Sequence, residues 1–319
     1  MSDLPAAVEI REEGPREGFQ IEPGPIPTRR KVELINALAA TGLKQIQLCS
    51  FVSPKLVPGW ADAEAVLAEV TPPQGVAFTA LWFNAAGLNR ALAFKDRLKL
   101  YGSISFAASE AFSRKNLNRD HAGQVEAMRA LTRTHLDAGV PVTRISVQAA
   151  FGCNYSGDVA PALVVQAVAD GLAIAAEHGA TITEVTLADT MGWATPLRIE
   201  RGVAAVRDRW PHLPLALHLH DTRGLGIANA MAGLRLGVAR YDTTVGGLGG
   251  CPFAGQPGAP GNICTEELAL LCTEMGIATG IDLDALIAAG HLAEDIVGHR
   301  LPSELLRSGP LDAFRKRAS

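Results

Sequence analysis

Short apolar runs alternate with longer amphipathic stretches along most of the chain. Val8–Glu13 reads as a first strand, and Pro27–Thr41 then sets Val32, Leu34, Ile35, Leu38 and Ala39 at helical spacing. The same alternation predicts strands over Gln45–Phe51, Val76–Phe83, Leu100–Ala107, Arg144–Phe151, Glu184–Ala188, Leu215–His220 and Tyr241–Val245. Between them it predicts helices over Trp60–Val70, Ala86–Phe94, one or two segments ending near Ala138, Ala160–His178, Pro196–Arg207 and Gly224–Leu236. Several strands are continuous apolar runs, as expected when both faces of a parallel sheet are covered. Eight β-then-α units within about 240 residues favour a closed (β/α)8 barrel over an open doubly wound sheet. No early GxGxxG turn argues for a dinucleotide fold.

After the eighth strand, GGLGGCPFAGQPGAPG (246–261) is too rich in Gly and Pro to be a helix and reads as a loop. Helical patterns resume over Thr265–Met275 and Asp282–Val297. No linker separates a second domain, so the expectation is one domain over 1–319, with the barrel at about 7–262 and C-terminal helices at about 263–319. The basic end RKRAS is expected to fray.

Composition narrows the function. With 48% hydrophobic residues in 319, the chain has ample material for a core. A net charge of −4 offers no basic stripe for nucleic acid or anionic lipid. There is no signal-peptide pattern and no apolar run approaching the ~20 residues of a membrane span, so a soluble, cytoplasmic protein is expected. Five cysteines without paired spacing fit a reducing compartment and exclude a CxxC redox or zinc motif.

In a (β/α)8 barrel the reactive groups stand at the C-terminal ends of the strands. Those ends carry Arg16 and Glu17 after strand 1, Gln47, Cys49 and Ser50 on strand 2, Cys153 and Tyr155 after strand 5, and Asp189 and Thr190 after strand 6. Strand 7 carries His218, His220 and Asp221, and the glycine-rich loop carries Cys251 and Asn262. The histidine pair is the strongest local signal. Spacing of two on a strand points both imidazoles to one face, where their burial is costly unless they share a ligand or charge. The bland alternative is two hydrogen-bonded core histidines. With Glu17, Asp221 and Asn262 at matching ends, two imidazoles plus oxygen donors suit an octahedral divalent ion, Mg²⁺ or Mn²⁺, with Zn²⁺ or Co²⁺ left open.

Cys251 lies in the loop and not in a core element, which favours a reactive thiol over a filler, the role expected of Cys49, Cys153, Cys264 and Cys272. Arg16 suits a carboxylate or a developing enolate charge; the alternative is a salt bridge to Glu12, Glu13 or Glu17. Asp189 reads first as a buried hydrogen-bond acceptor, and Tyr155 either lines the site or packs.

These segments resemble the 3-hydroxy-3-methylglutaryl-CoA lyase family of the DRE-TIM metallolyase superfamily. The resemblance is carried by EEGPREGFQIE (12–22), GLKQIQLCSFVSPKLVP (42–58), FGCNYSG (151–157), LADTMGWATP (187–196), HLHDTRGLGIANA (218–230) and GGLGGCPFAGQPGAPGN (246–262). It implies metal ligation by Glu17, His218, His220 and Asn262, and catalytic roles for Arg16, His218 and Cys251. It further implies a substrate pocket drawing on Gln20, Gln47, Tyr155, Asp189, Thr190 and Arg223, an acyl-CoA substrate and a homodimer. The implied reaction is metal-dependent retro-Claisen cleavage to acetyl-CoA and an oxoacid, with Cys251 donating a proton from a closing loop.

The chain departs from the family pattern at several places. The usual R-D-G is Arg16-Glu17-Gly18, the strand-2 acid falls on Gln47, and the following lysine falls on Pro23. The loop between Cys251 and Asn262 is about two residues longer, and Arg223 replaces a tyrosine. These changes bear on the substrate more than on the reaction type, and keep citramalyl-CoA as an alternative to 3-hydroxy-3-methylglutaryl-CoA. A Claisen-type synthase or aldolase on the same scaffold is a further alternative, and a non-catalytic CoA- or metal-binding barrel a remoter one.

Overall fold

The computed structural model describes residues 4–318 apart from Pro252, Ala254, Gln256 and Pro257, with side chains as far as Arg315. Eight strands alternate with helices in the predicted order, an α/β chain of the (β/α)8 barrel class with helices added after the last strand. It packs as two compact units. The first takes in Ala6–Lys99, Asp242–Gly250 and Pro260–Ser319; the second takes in Leu100–Tyr241 and Cys251–Ala259.

The first unit opens with β1 (Glu9–Glu12), α1 (Gly14–Ile21), α2 (Thr28–Ala39), β2 (Gln45–Ser50), α3 (Ala63–Glu69), β3 (Ala77–Leu81) and α4 (Ala85–Leu92). Its ladders are parallel, with Glu12 opposite Ile46 and Ile46 opposite Phe78. Every residue of β2 is buried. Leu34, Ile35 and Leu38 of α2 and Ile46 and Leu48 of β2 are fully buried, each stabilising by about 1.5–3 kcal/mol. The β2–β3 register slips between Gln47 and Cys49, a bulge of the kind that re-aims a side chain.

The second unit contains β4 (Gly102–Ala107), the short α5 (Glu110–Phe112), α6 (His121–Asp137), β5 (Val142–Gln148), α7 (Pro161–Glu177), β6 (Glu184–Ala188), α8 (Pro196–Arg209), β7 (Leu215–His218) and α9 (Gly226–Arg235). β4, β5, β6 and β7 pair in sequence, all parallel. Helix starts carry their own signals. Asp120 Oδ1 accepts from Gly123 N at 2.8 Å, Thr195 Oγ1 accepts from Arg198 N, and Pro161 and Pro196 occupy first positions, where no amide hydrogen is needed. A Cβ on Gly171 would come within 2.8 Å of Ile145 Cδ1, so the missing side chain is what lets α7 lie flush on β5.

β8 (Arg240–Thr243) begins in the second unit and ends in the first. α10 (Thr265–Glu274), α11 (Leu283–Val297), α12 (Leu305–Ser308) and α13 (Asp312–Ala318) follow in the first. The sequence pattern missed α1, whose eight residues carry only a narrow apolar face. Arg16 and Glu17 therefore stand in the first turn of a helix and not at a strand end. β7 stops at His218, so His220 lies just past the strand. The predicted Trp60–Val70 helix is a 3-10 turn at Pro58–Trp60 followed by α3. α13 runs through the basic end as far as Ala318, and Arg315 pairs with Glu274 at 2.7 Å. Of the predicted loop at 246–261, four residues lie outside the described ones. Among the described residues, no helix is long and apolar enough to cross a membrane.

Candidate active site

In the first unit the chemistry gathers on α1. One residue, Glu13, links β1 to this helix; Pro15 presets its first turn, and the Glu17 carboxylate complements the amide-rich end. Arg16 Nε donates to Gln47 Oε1 on β2, and Arg16 Nη2 donates to Glu13 Oε2 at 2.8 Å and lies 2.6 Å from Glu17 Oε1. Burial works against the guanidinium charge, but the Glu17 and Glu13 carboxylates outweigh it and raise the Arg16 pKa further. The Arg16 carbonyl accepts from the Trp60 indole at 2.9 Å, and Lys31 Nζ sits 4.6 Å above that ring. Gln20, in the last turn of α1, has a buried Oε1 with no hydrogen-bond partner among the described residues.

Glu12 ends β1 and is fully buried. It accepts from Gly14 N at 2.6 Å, Val245 N at 2.9 Å and Thr265 Oγ1 at 2.6 Å, and burial pushes its carboxyl up to about 7. It thereby joins the start of α1 to the turn after β8 from which the glycine-rich loop departs. The loop closes back on itself at its base. A Cβ on Gly261 would lie 2.6 Å from the Gly250 carbonyl oxygen, so only glycine permits this approach. Asn262 follows directly. It is buried, and neither its side-chain oxygen nor its nitrogen has a hydrogen-bond partner among the described residues. Burying an amide with nothing to bond is costly, so these two atoms are available to a ligand.

In the second unit, His218 and His220 stand side by side with ring centroids 5.3 Å apart, as their spacing predicts. The His218 carbonyl accepts from Asp189 N at 2.8 Å. Asp189 Oδ1 accepts from Trp193 N at 2.7 Å and Ala194 N at 2.9 Å, the structural role read from the sequence. Its Oδ2 is buried without a hydrogen-bond partner among the described residues, and burial pushes the carboxyl up to about 7. Thr190 Oγ1 accepts from Ala149 N at 2.9 Å, holding an alanine with φ +51° in the left-handed region. Cys251 Sγ donates to the Thr190 carbonyl at 3.4 Å and is itself buried, although it stands in a loop.

Arg223, which is exposed, donates from Nη1 to the Met191 and Gly192 carbonyls at 3.1 and 2.7 Å. Tyr155 stands on the turn after Cys153, its N donating to Cys153 Sγ at 3.4 Å, with Lys115 Nζ 4.2 Å from its ring centroid. Asn154 was not singled out by the sequence. Its amide donates to the Phe253 carbonyl at 2.7 Å and accepts from the Trp193 indole at 2.6 Å, and the Phe253 ring meets Phe112 edge-on at 5.3 Å. An asparagine in a turn carries no sign of such a distant partner. Glu13 was legible only as a salt-bridge candidate for Arg16.

A (β/α)8 chain carrying these groups is, in class, a carbon–carbon lyase. Residues 7–293 match the HMGL-like family, and the chain belongs to it. It is 37% identical over 303 residues to the hydroxymethylglutaryl-CoA lyase YngG of Bacillus subtilis, spanning 95% of this chain and 97% of that one. The hydroxymethylglutaryl-CoA lyase structure from Pseudomonas aeruginosa superposes with a TM-score of 0.87 at 36% identity, covering 96% of this chain and 98% of that one. The structure of a hydroxymethylglutaryl-CoA lyase from Acinetobacter baumannii, in complex with coenzyme A and 3-methylmalate, gives 0.84 at 36% identity, covering 96% of each.

Proposed function

We propose that this lyase is divalent-metal dependent and cleaves 3-hydroxy-3-methylglutaryl-CoA or a close analogue to acetyl-CoA and an oxoacid. The observation that carries the reading is the buried amide of Asn262, a polar donor–acceptor with no hydrogen-bond partner among the described residues. Membership of a divalent-metal-dependent family supports the metal, and the coenzyme A in the Acinetobacter structure supports an acyl-CoA substrate.

Glu17, His218, His220 and Asn262 would hold the ion; one carboxylate, two imidazoles and an amide form the mixed oxygen–nitrogen set that suits Mg²⁺ or Mn²⁺. The ion would supply Lewis-acid polarisation of the substrate's oxygens. His218 takes the 3-hydroxyl proton on a ring nitrogen. As the C2–C3 bond breaks, C3 becomes a carbonyl and the electron pair passes into the thioester enolate. Arg16 steadies that negative charge, and Cys251 Sγ delivers a proton to the enolate carbon. Gln20, Gln47, Tyr155, Asp189, Thr190 and Arg223 are assigned to substrate binding. One catalytic domain, a homodimeric state and cytoplasmic residence complete the reading.

Citramalyl-CoA is the second reading for the substrate. It draws on Gln47, which is neutral beside Arg16, and on the 3-methylmalate of the Acinetobacter complex, an isomer of the citramalyl acid. The test is incubation of purified protein and Mn²⁺ or Mg²⁺ with 3-hydroxy-3-methylglutaryl-CoA, both citramalyl-CoA enantiomers and a longer 3-alkyl analogue. Acetyl-CoA release from one of them, abolished by a chelator, is expected. Release from none, with metal bound, would overturn the reading in favour of a synthase or aldolase.

A further inference from the structure

His299 joins the ends of two helices. α11 closes at Gly298, whose φ of +75° turns the chain out of the helix, and His299 follows. α1 closes at Glu22, whose N donates to the Gly18 carbonyl at 3.0 Å. The imidazole reaches from one end to the other. Its Nε2 lies 2.8 Å from Glu22 Oε2, and its Nδ1 lies 3.0 Å from the Arg300 carbonyl oxygen. A carbonyl and a carboxylate only accept, and a neutral imidazole carries one N–H. A neutral ring therefore serves one of the two and turns a lone pair on the other. Only the imidazolium makes both contacts at once.

The surroundings favour that charge. The Glu22 side chain is 7% exposed, and His299 is its one partner among the described residues. Glu22 also stands at the negative end of the α1 dipole, where a carboxylate is poorly placed without a cation, and His299 lies just past the negative end of α11. The other charges on α11 and the helices packed on it are largely paired among themselves: Glu294 with Arg307 of α12, and Asp295 with Arg30 of α2. Glu294 still adds to the pull on the imidazolium. Exposed Arg300 opposes it, as does His291 when protonated. The His299 pKa is raised above 6.5, first by the Arg300 carbonyl and then by the Glu22 hydrogen bond, against partial desolvation.

We propose that Glu22 and His299 form a proton-dependent clasp that fixes the end of α1, the helix carrying Arg16 and Glu17. The clasp stands on its own; only its bearing on catalysis rests on the lyase reading. With the ring charged, the screened carboxylate is paired and the end of α1 is tied to the end of α11. Once the ring loses a proton, either Glu22 or the Arg300 carbonyl faces a lone pair. The stabilisation is complete below pH 6.5 and is lost as pH rises through the raised pKa of the folded protein.

The test follows the histidine rings of the full-length protein by nitrogen-15 NMR from pH 5.5 to 9, with His299→Gln to assign the resonance. It also measures hydrogen exchange of the α1 amides at pH 6 and 8.5, corrected for intrinsic rates. His299 is expected to titrate above 6.5, and Glu22→Gln to bring its midpoint down. Protection of α1 is expected to fall about fivefold between the two pH values in the parent. It should be low at both in His299→Gln and high at both in His299→Lys, whose ammonium keeps its charge and donates to Glu22. A parental midpoint at or below 6.5, an unmoved midpoint in Glu22→Gln, or α1 protection indifferent to pH in the parent would each overturn the inference. Should Glu22→Gln fail to fold, the two His299 variants decide, since that side chain is half-exposed: loss of the pH dependence in both supports the clasp, and its retention in either overturns it. A parent that cleaves no thioester removes the lyase reading and leaves these outcomes standing.

Discussion

The side-chain amide of Asn154 donates to the carbonyl oxygen of Phe253 at 2.7 Å, fastening the loop that carries Cys251 two residues away. The same amide is oriented by the Trp193 indole, and Trp193 N is in turn held by Asp189. Asn154→Ala is expected to keep the fold but loosen this attachment. One such hydrogen bond contributes about 1 kcal/mol, so kcat should fall roughly five- to tenfold with KM little changed. Steady-state kinetics check this, and limited proteolysis should show faster cleavage within 251–259.

Cys251 lies under 10% exposed, at 5%, and its thiol is aimed by the Thr190 carbonyl. If Cys251 is the proton donor of the proposed reaction, exchanging its thiol for a far weaker acid of similar size separates chemistry from packing. Cys251→Ser is expected to lower kcat by about 10²–10⁴-fold, the usual contribution of a positioned acid, with an unchanged melting temperature. Loss of kcat below tenfold would assign the proton transfer elsewhere.

Much of this was legible beforehand because local physics agreed with the global fold. β6, EVTLA, has its ends where the sequence places them: β-branched and apolar Val185, Thr186 and Leu187 lie between Gly/Thr-rich and Asp-Thr turn signals, and all five residues are buried. The HxH spacing fixed which face both imidazoles share, and the rings are neighbours. α1 was missed because eight residues beginning Gly-Pro and holding three charged or amide side chains look like a turn; Glu12, Trp60 and Leu248 stabilise it, and all lie far away in sequence or outside helical period. The Asn154 link and the sharing of Arg16 between Glu13 and Glu17 depend on where loops arrive in space, which periodicity does not encode.

Asn262 separates function from stability. Its buried amide has no intramolecular partner among the described residues, so its removal should cost the metal-free protein little. Asn262→Ala is expected to leave the metal-free melting temperature unchanged or raised, because an unsatisfied buried group costs about 1–3 kcal/mol. If Asn262 is a ligand of the proposed ion, Mn²⁺ binding should weaken by at least about tenfold. Differential scanning calorimetry without metal and Mn²⁺ titration check the two halves. A large loss of metal-free stability would show Asn262 to be structural.

Glu12 gives a pH dependence whose sign follows from burial. Its carboxyl is raised from 4.5 to about 7, so between these values the folded chain holds a proton that the unfolded chain has released. The stabilisation is therefore complete below pH 4.5 and is lost as pH rises toward 7, amounting to about 3 kcal/mol over the window. Asp189, likewise raised to about 7, adds a contribution of the same sign. Glu12→Gln mimics the protonated form: its carbonyl can still accept from Gly14 N and Val245 N, and its amide can donate toward Thr265 Oγ1. Chemical denaturation of the parent from pH 5 to 8 should show stability declining through this window. In Glu12→Gln the decline should be shallower and stability at pH 8 should equal or exceed the parent's. A variant at least as steep as the parent would mean that Glu12 is ionised in the folded protein throughout.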